Sequence, residues 1–147
     1  MKIQRSSTHE DGMSTLDFMI GVALFLIVTV AVGYNVRIRS DEAKVAAART
    51  LIGAFCTALE SYNIDCGRYP TAEQGLQALW EKPTIQPISD KWSGPYINKE
   101  IPNDPWGNPY EYTTPGHNGL PYSIRSLGAD SKEGGEGNNA DITSWGK

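Results

Sequence analysis

No proline interrupts residues 13 to 69 of this 147-residue chain. That is the strongest single constraint on its fold, because a proline inside a helix costs about 3 kcal/mol and usually breaks it. Within the stretch, "FMIGVALFLIVTVAVG" (Phe18 to Gly33) is a run of sixteen residues without a charge. Further on, Val45, Ile52, Phe55, Leu59 and Tyr62 recur at spacings of seven, three, four and three, which is one stripe along a helix. Charges at Arg37, Arg39, Asp41, Glu42, Lys44, Arg49 and Glu60 fill the other faces. The pattern predicts one helix of roughly 48 residues, about 70 Å long, apolar all round in its first third and amphipathic afterwards. The amphipathic part reads as a helix packing on its own domain.

After the helix the composition turns to proline, glycine and aromatic residues. In "CGRYP", Gly67 and Pro70 form a stop signal, with Cys66 just past the helix end. "TAEQGLQALWEKP" predicts one short helix: Thr71 and Gln74 have capping-box spacing, Leu76, Leu79 and Trp80 make an apolar face, and Pro83 ends it. "GPYI" predicts a short strand and "NDPWGNPY" a tight turn. "PYEYTT" and "PYSIRSL" alternate with period two around "PGHNG", which reads as a hairpin. The closing "GADSKEGGEGNNADITSWGK" carries too much glycine for regular structure.

Several function classes fall away. The length suits one cored domain rather than two. A net charge of -4 and the lack of a Lys/Arg cluster argue against a nucleic-acid partner. No GxSxG, HExxH, Walker A or paired CxxC occurs, so the signals of an enzyme are missing. His9 lies in a polar N-terminal stretch and His117 in a turn, and each reads as a solvated or turn histidine rather than a catalytic one. Cys56 and Cys66 are ten residues apart across a predicted helix end, which predicts two separate thiols rather than a bridge.

Two constellations remain. Between Leu127 and Ile142 stand Asp130, Glu133, Glu136, Asn138, Asn139 and Asp141, interleaved with glycines at 128, 134, 135 and 137. Calcium takes six to eight oxygen ligands, and glycines let a loop wrap tightly enough to supply them. The spacing is not that of an EF-hand. From its residues alone this loop is either a solvated tail or a cation site, although Ile142 and Trp145 beyond it need something to hold them. The second constellation is "EDGMSTLDFMIG", where Asp17 stands inside the front of an apolar segment that has no evident use for it. No A-x-A-like site follows the apolar run, so it does not read as a secretory signal. At about 24 Å the run is slightly short of a bilayer core of roughly 30 Å.

A glycine, a small polar pair, an acid and an unbroken apolar run resemble the processing site of type IV pilins and their relatives. "CGRYPTAEQGLQALWEKP", "GPYI", "DPWGNPYEY" and "SLGADSKEGGEGNNADI" narrow the resemblance to the major pseudopilins of the type II secretion system, over about residues 57 to 145. The resemblance implies an α+β, type IV pilin-like fold: a long N-terminal helix packed on a small antiparallel sheet with a C-terminal calcium loop. It implies a leader peptide over 1–12, a transmembrane and assembly helix over 13–34, and a periplasmic globular domain over 35–147. A prepilin peptidase would cut between Gly12 and Met13, and Met13 would be methylated. Asp17 would then pair with the charged N-terminus of a neighbouring subunit, since a lone carboxylate among apolar helices is costly. Asp130 and Asp141 are implied as side-chain calcium ligands with the Leu127 carbonyl, joined by the Lys132 carbonyl and Asn139.

The implied protein is a non-enzymatic subunit of a helical homopolymer in the periplasm, whose growth drives folded proteins across the outer membrane. Its implied partners are the peptidase, other pseudopilins, inner-membrane secretion components and the inner membrane, with a cytoplasmic N-terminus. Charges on both sides of the run leave the orientation itself undecided. Three places depart from the family pattern: Asp17 for glutamate, Met13 for phenylalanine, and Tyr34 for a proline, with Gly33 beside it as a milder weak point. A type IV pilin or minor pseudopilin is the nearest alternative. A membrane-anchored periplasmic calcium-binding module is a further one, and it predicts that any span could replace residues 1 to 33.

Overall fold

The computed structural model describes residues 15–146, with the backbone alone for 31–39. One α-helix, α1 (Thr15–Cys66), runs for 52 residues, slightly longer than the sequence predicts, and it continues through Gly33. Cys66 is its last residue rather than the first beyond it. The chain divides into two compact units, Met1–Arg39 and Ser40–Lys147.

In the first unit, the large apolar side chains from Leu16 to Val30 are 43 to 72 % exposed, so no single face is hidden. The Thr29 hydroxyl donates to the Leu26 carbonyl at 2.9 Å, which gives the run's one polar side chain a partner within the helix. Among the described residues no helix is long and apolar enough to cross a membrane. Asp17 stands in the first turn of α1, where the helix dipole favours an acid.

In the second unit the stripe becomes a core face. Ala48, Ile52, Phe55, Ala58, Leu59 and Tyr62 are buried, and Val45 is packed against them. The helix stops at Gly67, which has φ +74° and donates its N–H to the Asn63 carbonyl at 2.8 Å. This is the left-handed C-terminal cap that glycine adopts without a Cβ penalty.

The predicted capping box forms: the Gln74 N–H donates to the Thr71 hydroxyl at 3.2 Å, and the Thr71 N–H donates to Gln74 Oε1 at 3.0 Å. The helix it was to start does not follow. Gly75 at φ +60° breaks the turn, and only a 3₁₀ helix over Leu76–Leu79 results. Its Leu76, Ala78 and Leu79 enter the core. "GPYI" is not a strand, because the Tyr96 N–H bonds to the Leu79 carbonyl of that 3₁₀ turn at 2.7 Å and Pro95 has no donor.

The hairpin forms as expected. β1 (Glu111–Thr113) and β2 (Ser123–Ser126) pair antiparallel, with Tyr112 opposite Ile124. The glycine-rich end is more regular than its composition suggests. It contains two 3₁₀ turns and a two-residue strand, β3 (Ile142–Thr143), which pairs antiparallel with β2 to give the order β1-β2-β3. Tyr110, Ile124 and Ile142 close the core, and the Phe55 and Tyr110 rings meet edge-on at 5.2 Å.

Candidate functional site

The acidic loop begins where β2 ends. Gly128, at φ +66°, opens a 3₁₀ turn over Gly128–Asp130, and Ser131 follows in the left-handed region at φ 56°. A second 3₁₀ turn spans Gly137–Asn139, and the two turns lie against each other. The contact requires glycine. A Cβ on Gly128 would come within 2.7 Å of the Asn138 carbonyl oxygen, and one on Gly135 within 2.5 Å of the Asn139 carbonyl oxygen. Backbone from the two ends of the loop therefore meets at a distance no other residue permits.

The residues predicted as ligands are spread over this double turn. Leu127 precedes the first turn, Asp130 closes it, Asn139 closes the second, and Asp141 leads into β3. Asp130 is exposed, and its Oδ1 accepts the Lys132 N–H at 3.2 Å. Asp141 is half-buried, and its Oδ1 is buried without a hydrogen-bond partner. The Lys132 side chain is exposed. Among the described residues no three His, Cys, Asp or Glu side chains gather as a metal-holding group. The implied set has only two carboxylates and draws its other oxygens from an amide and two carbonyls. Calcium takes hard oxygen donors with negative charge among them, and the buried Asp141 Oδ1 has no other partner, so the chemistry of the donor set suits the ion.

Two residues that sequence reading passed over organise this region. Arg125 sits on β2 opposite Glu111. It donates through Nε to Glu111 Oε2 at 2.8 Å and through Nη1 to Glu133 Oε1 at 2.6 Å, and Nη1 lies 3.6 Å from Asp141 Oδ2. Hydrogen bonds to Glu133 and Glu111 hold the guanidinium above its usual range. Arg125 thus ties β1, the outer loop and the β3 entry together. The other is Asp104, a buried acid in the "NDPWGN" turn. Its Oδ1 accepts the Trp106 and Asn108 N–H groups at 3.0 and 2.8 Å. The sequence signals for the pair were weak: a charge in a period-two strand, and an Asx-type turn.

The end of the chain is held as the loop requires. Ile142 is in the core, and Trp145 stacks on His117 at 5.0 Å between centroids. His117 is exposed in its turn, as expected, and its ring also serves as a packing partner. The cysteines are separate free thiols, and burial pushes the Cys56 thiol up, the direction of an unreactive thiol. Gly12 and Met13, the expected cleavage and methylation site, lie outside the described residues.

Comparison with known proteins converges on one family. The family model for type II secretion system protein G matches residues 35–145. The chain is 43% identical over 137 residues to the type II secretion system core protein G of Pseudomonas aeruginosa, covering 93% of this chain and 96% of the relative. It is 41% identical over 145 residues to its counterpart in Vibrio cholerae, covering 99% and 96%. Among solved structures, the major pseudopilin from the type 2 secretion system of enterohaemorrhagic Escherichia coli superposes with a TM-score of 0.62 at 36% identity, covering 73% of this chain and 90% of that one. The α+β, type IV pilin-like fold expected from the sequence is the fold found. The chain belongs to the type II secretion system protein G family, the major pseudopilins, and is a structural subunit rather than an enzyme.

Proposed function

We propose that the chain polymerises into a helical filament in the periplasm, through the apolar front of α1, and that growth of this filament helps drive folded proteins across the outer membrane. One observation carries the reading: the apolar side chains from Leu16 to Val30 are exposed around the whole helix. A helix apolar on every side needs lipid or other helices around it. Before assembly, residues 13–34 rest in the inner membrane, with the N-terminus cytoplasmic and the globular domain periplasmic. A span of only sixteen uncharged residues is weakly held, which suits a helix that must leave the bilayer for a filament.

Prepilin peptidase cleaves after Gly12 and the new N-terminus at Met13 is methylated. Asp17, the fifth residue of the mature chain, pairs with the amino group of the next subunit and favours one axial stagger between otherwise slippery apolar helices. Repeated head-to-tail contacts of this kind give an open helix rather than a closed ring. Other pseudopilins and inner-membrane secretion components complete the set of partners.

Calcium is held by Asp130, Asp141, Asn139 and the Leu127 and Lys132 carbonyls. When bound, it would offset much of the loop's negative charge and link its two ends. Asp130 and Asp141 supply the charge, Asn139 a neutral oxygen, and the glycine contacts bring the two turns together. The reading is supported by the unpartnered Asp141 oxygen and the close-packed glycines. The processing step is tested by the intact mass of the membrane-extracted protein. A chain starting at methylated Met13 is expected, and an uncut chain starting at Met1 would refute it.

A further inference from the structure

The turn carrying Asp104 and the start of the acidic loop are joined by a closed set of hydrogen bonds. Asp104 is 4 % exposed and Ser126, at the end of β2, is fully buried. The Ser126 hydroxyl donates to Asp104 Oδ2 at 2.6 Å and accepts the Gly128 N–H at 3.3 Å. From the same turn, Asn108 donates through Nδ2 to the Gly128 carbonyl at 3.1 Å. The Asn108 backbone is itself clamped, since its N–H donates to Asp104 Oδ1 at 2.8 Å and its carbonyl accepts the Asp104 N–H at 2.8 Å. Both backbone groups of Gly128 are therefore held by arms that lead to Asp104.

Peptide planarity gives this a consequence for the loop. The Gly128 N–H and the Leu127 carbonyl belong to one peptide unit, which is planar with the two groups pointing in opposite directions. Fixing the N–H against Ser126 fixes the direction of the Leu127 carbonyl. The Gly128 carbonyl, for its part, has one lone pair taken up by Asn108. A buried carboxylate is suited to such a brace, because hydrogen bonds to an ionised group are roughly twice as strong as neutral ones. It must keep all of them, because leaving it short of partners carries a full desolvation penalty.

We propose that Asp104 is a positioning residue for the calcium loop, acting through Ser126 and Asn108 to aim the Leu127 carbonyl. The proposal rests on the calcium reading above and extends it to residues outside the ligand set. Asp104→Asn reverses the polarity of the Ser126 link, because an amide N–H2 replaces the oxygen that accepted the hydroxyl. Ser126→Ala removes that link and leaves the turn whole. Asn108→Ala frees the Gly128 carbonyl and leaves the Asp104–Ser126 pair whole.

The test is calcium titration by calorimetry on the detergent-solubilised full chain, with melting curves recorded in EDTA. Outer partners of metal ligands typically change affinity by about 10–100-fold. An increase of that size in Kd is expected for Ser126→Ala and Asp104→Asn, with a smaller increase for Asn108→Ala. A merely structural role would lower the EDTA melting temperature and leave the Kd alone. Should Asp104→Asn fail to fold, Ser126→Ala and Asn108→Ala decide the matter. Folded variants that bind calcium as wild type does overturn this proposal and leave the calcium site standing. A wild-type chain that binds no calcium overturns both.

Discussion

A carboxylate oxygen buried without a partner costs a protein about 1–3 kcal/mol, and Asp141 Oδ1 is in that state. Its other oxygen is 3.6 Å from Arg125, too far for a good hydrogen bond, so Arg125 offsets only part of the cost. A bound cation would offset the rest. Chelation should therefore lower the melting temperature of the full chain. At calcium a hundredfold above Kd the stabilisation is about 2.7 kcal/mol, on the order of 10 °C for a domain of this size. Asp130→Ala should abolish the difference between calcium and EDTA melting curves. A wild-type curve unmoved by EDTA would remove the metal site.

At this scale the sequence was legible in residue type and blind to burial. The acids and glycines of the loop stand out in any reading. Asp104 does not, because its burial depends on Ser126 arriving from a strand 22 residues away. Arg125 owes its role to strand register, which places Glu111 opposite it.

Among the elements, α1 was legible because everything that specifies it is local. Proline is absent, the apolar stripe has the helical period, and Gly67 terminates it. The short elements were not. A residue at positive φ, Gly75, reduced an expected α-helix to a 3₁₀ turn. β3 exists only because β2 offers it an edge, so two residues in a glycine-rich tail gave no periodicity to detect. The stripe on α1 also carries the element-scale prediction. Leu59 is fully buried in the core, and truncation at such a site typically costs 2–5 kcal/mol. Leu59→Ala should lower the unfolding free energy of the globular unit, read from its denaturant midpoint and slope, by an amount in that range. A loss below about 1 kcal/mol would mean that the helix face is not the core it is taken for.

For the whole molecule, the two units answer to different surroundings. The globular unit buries its apolar stripe within itself. The front of α1 leaves its apolar residues exposed, at a penalty of roughly 1–3 kcal/mol for each large side chain kept in water. Family membership makes this a pseudopilin, and in the proposed reading polymerisation gives this helix its apolar neighbours. The proposed pairing of Asp17 bears directly on that step, since aspartate is one methylene shorter than glutamate and would reach less far to a neighbour's amine. The most direct measurement is electron microscopy of cells that overexpress the chain together with a secretion apparatus, comparing wild type with Asp17→Ala at equal protein level. Filaments from the wild type, and many fewer from a variant that still folds and inserts, are predicted. Absence of wild-type filaments would contradict polymerisation itself, and equal filaments from Asp17→Ala would contradict the pairing that sets the stagger.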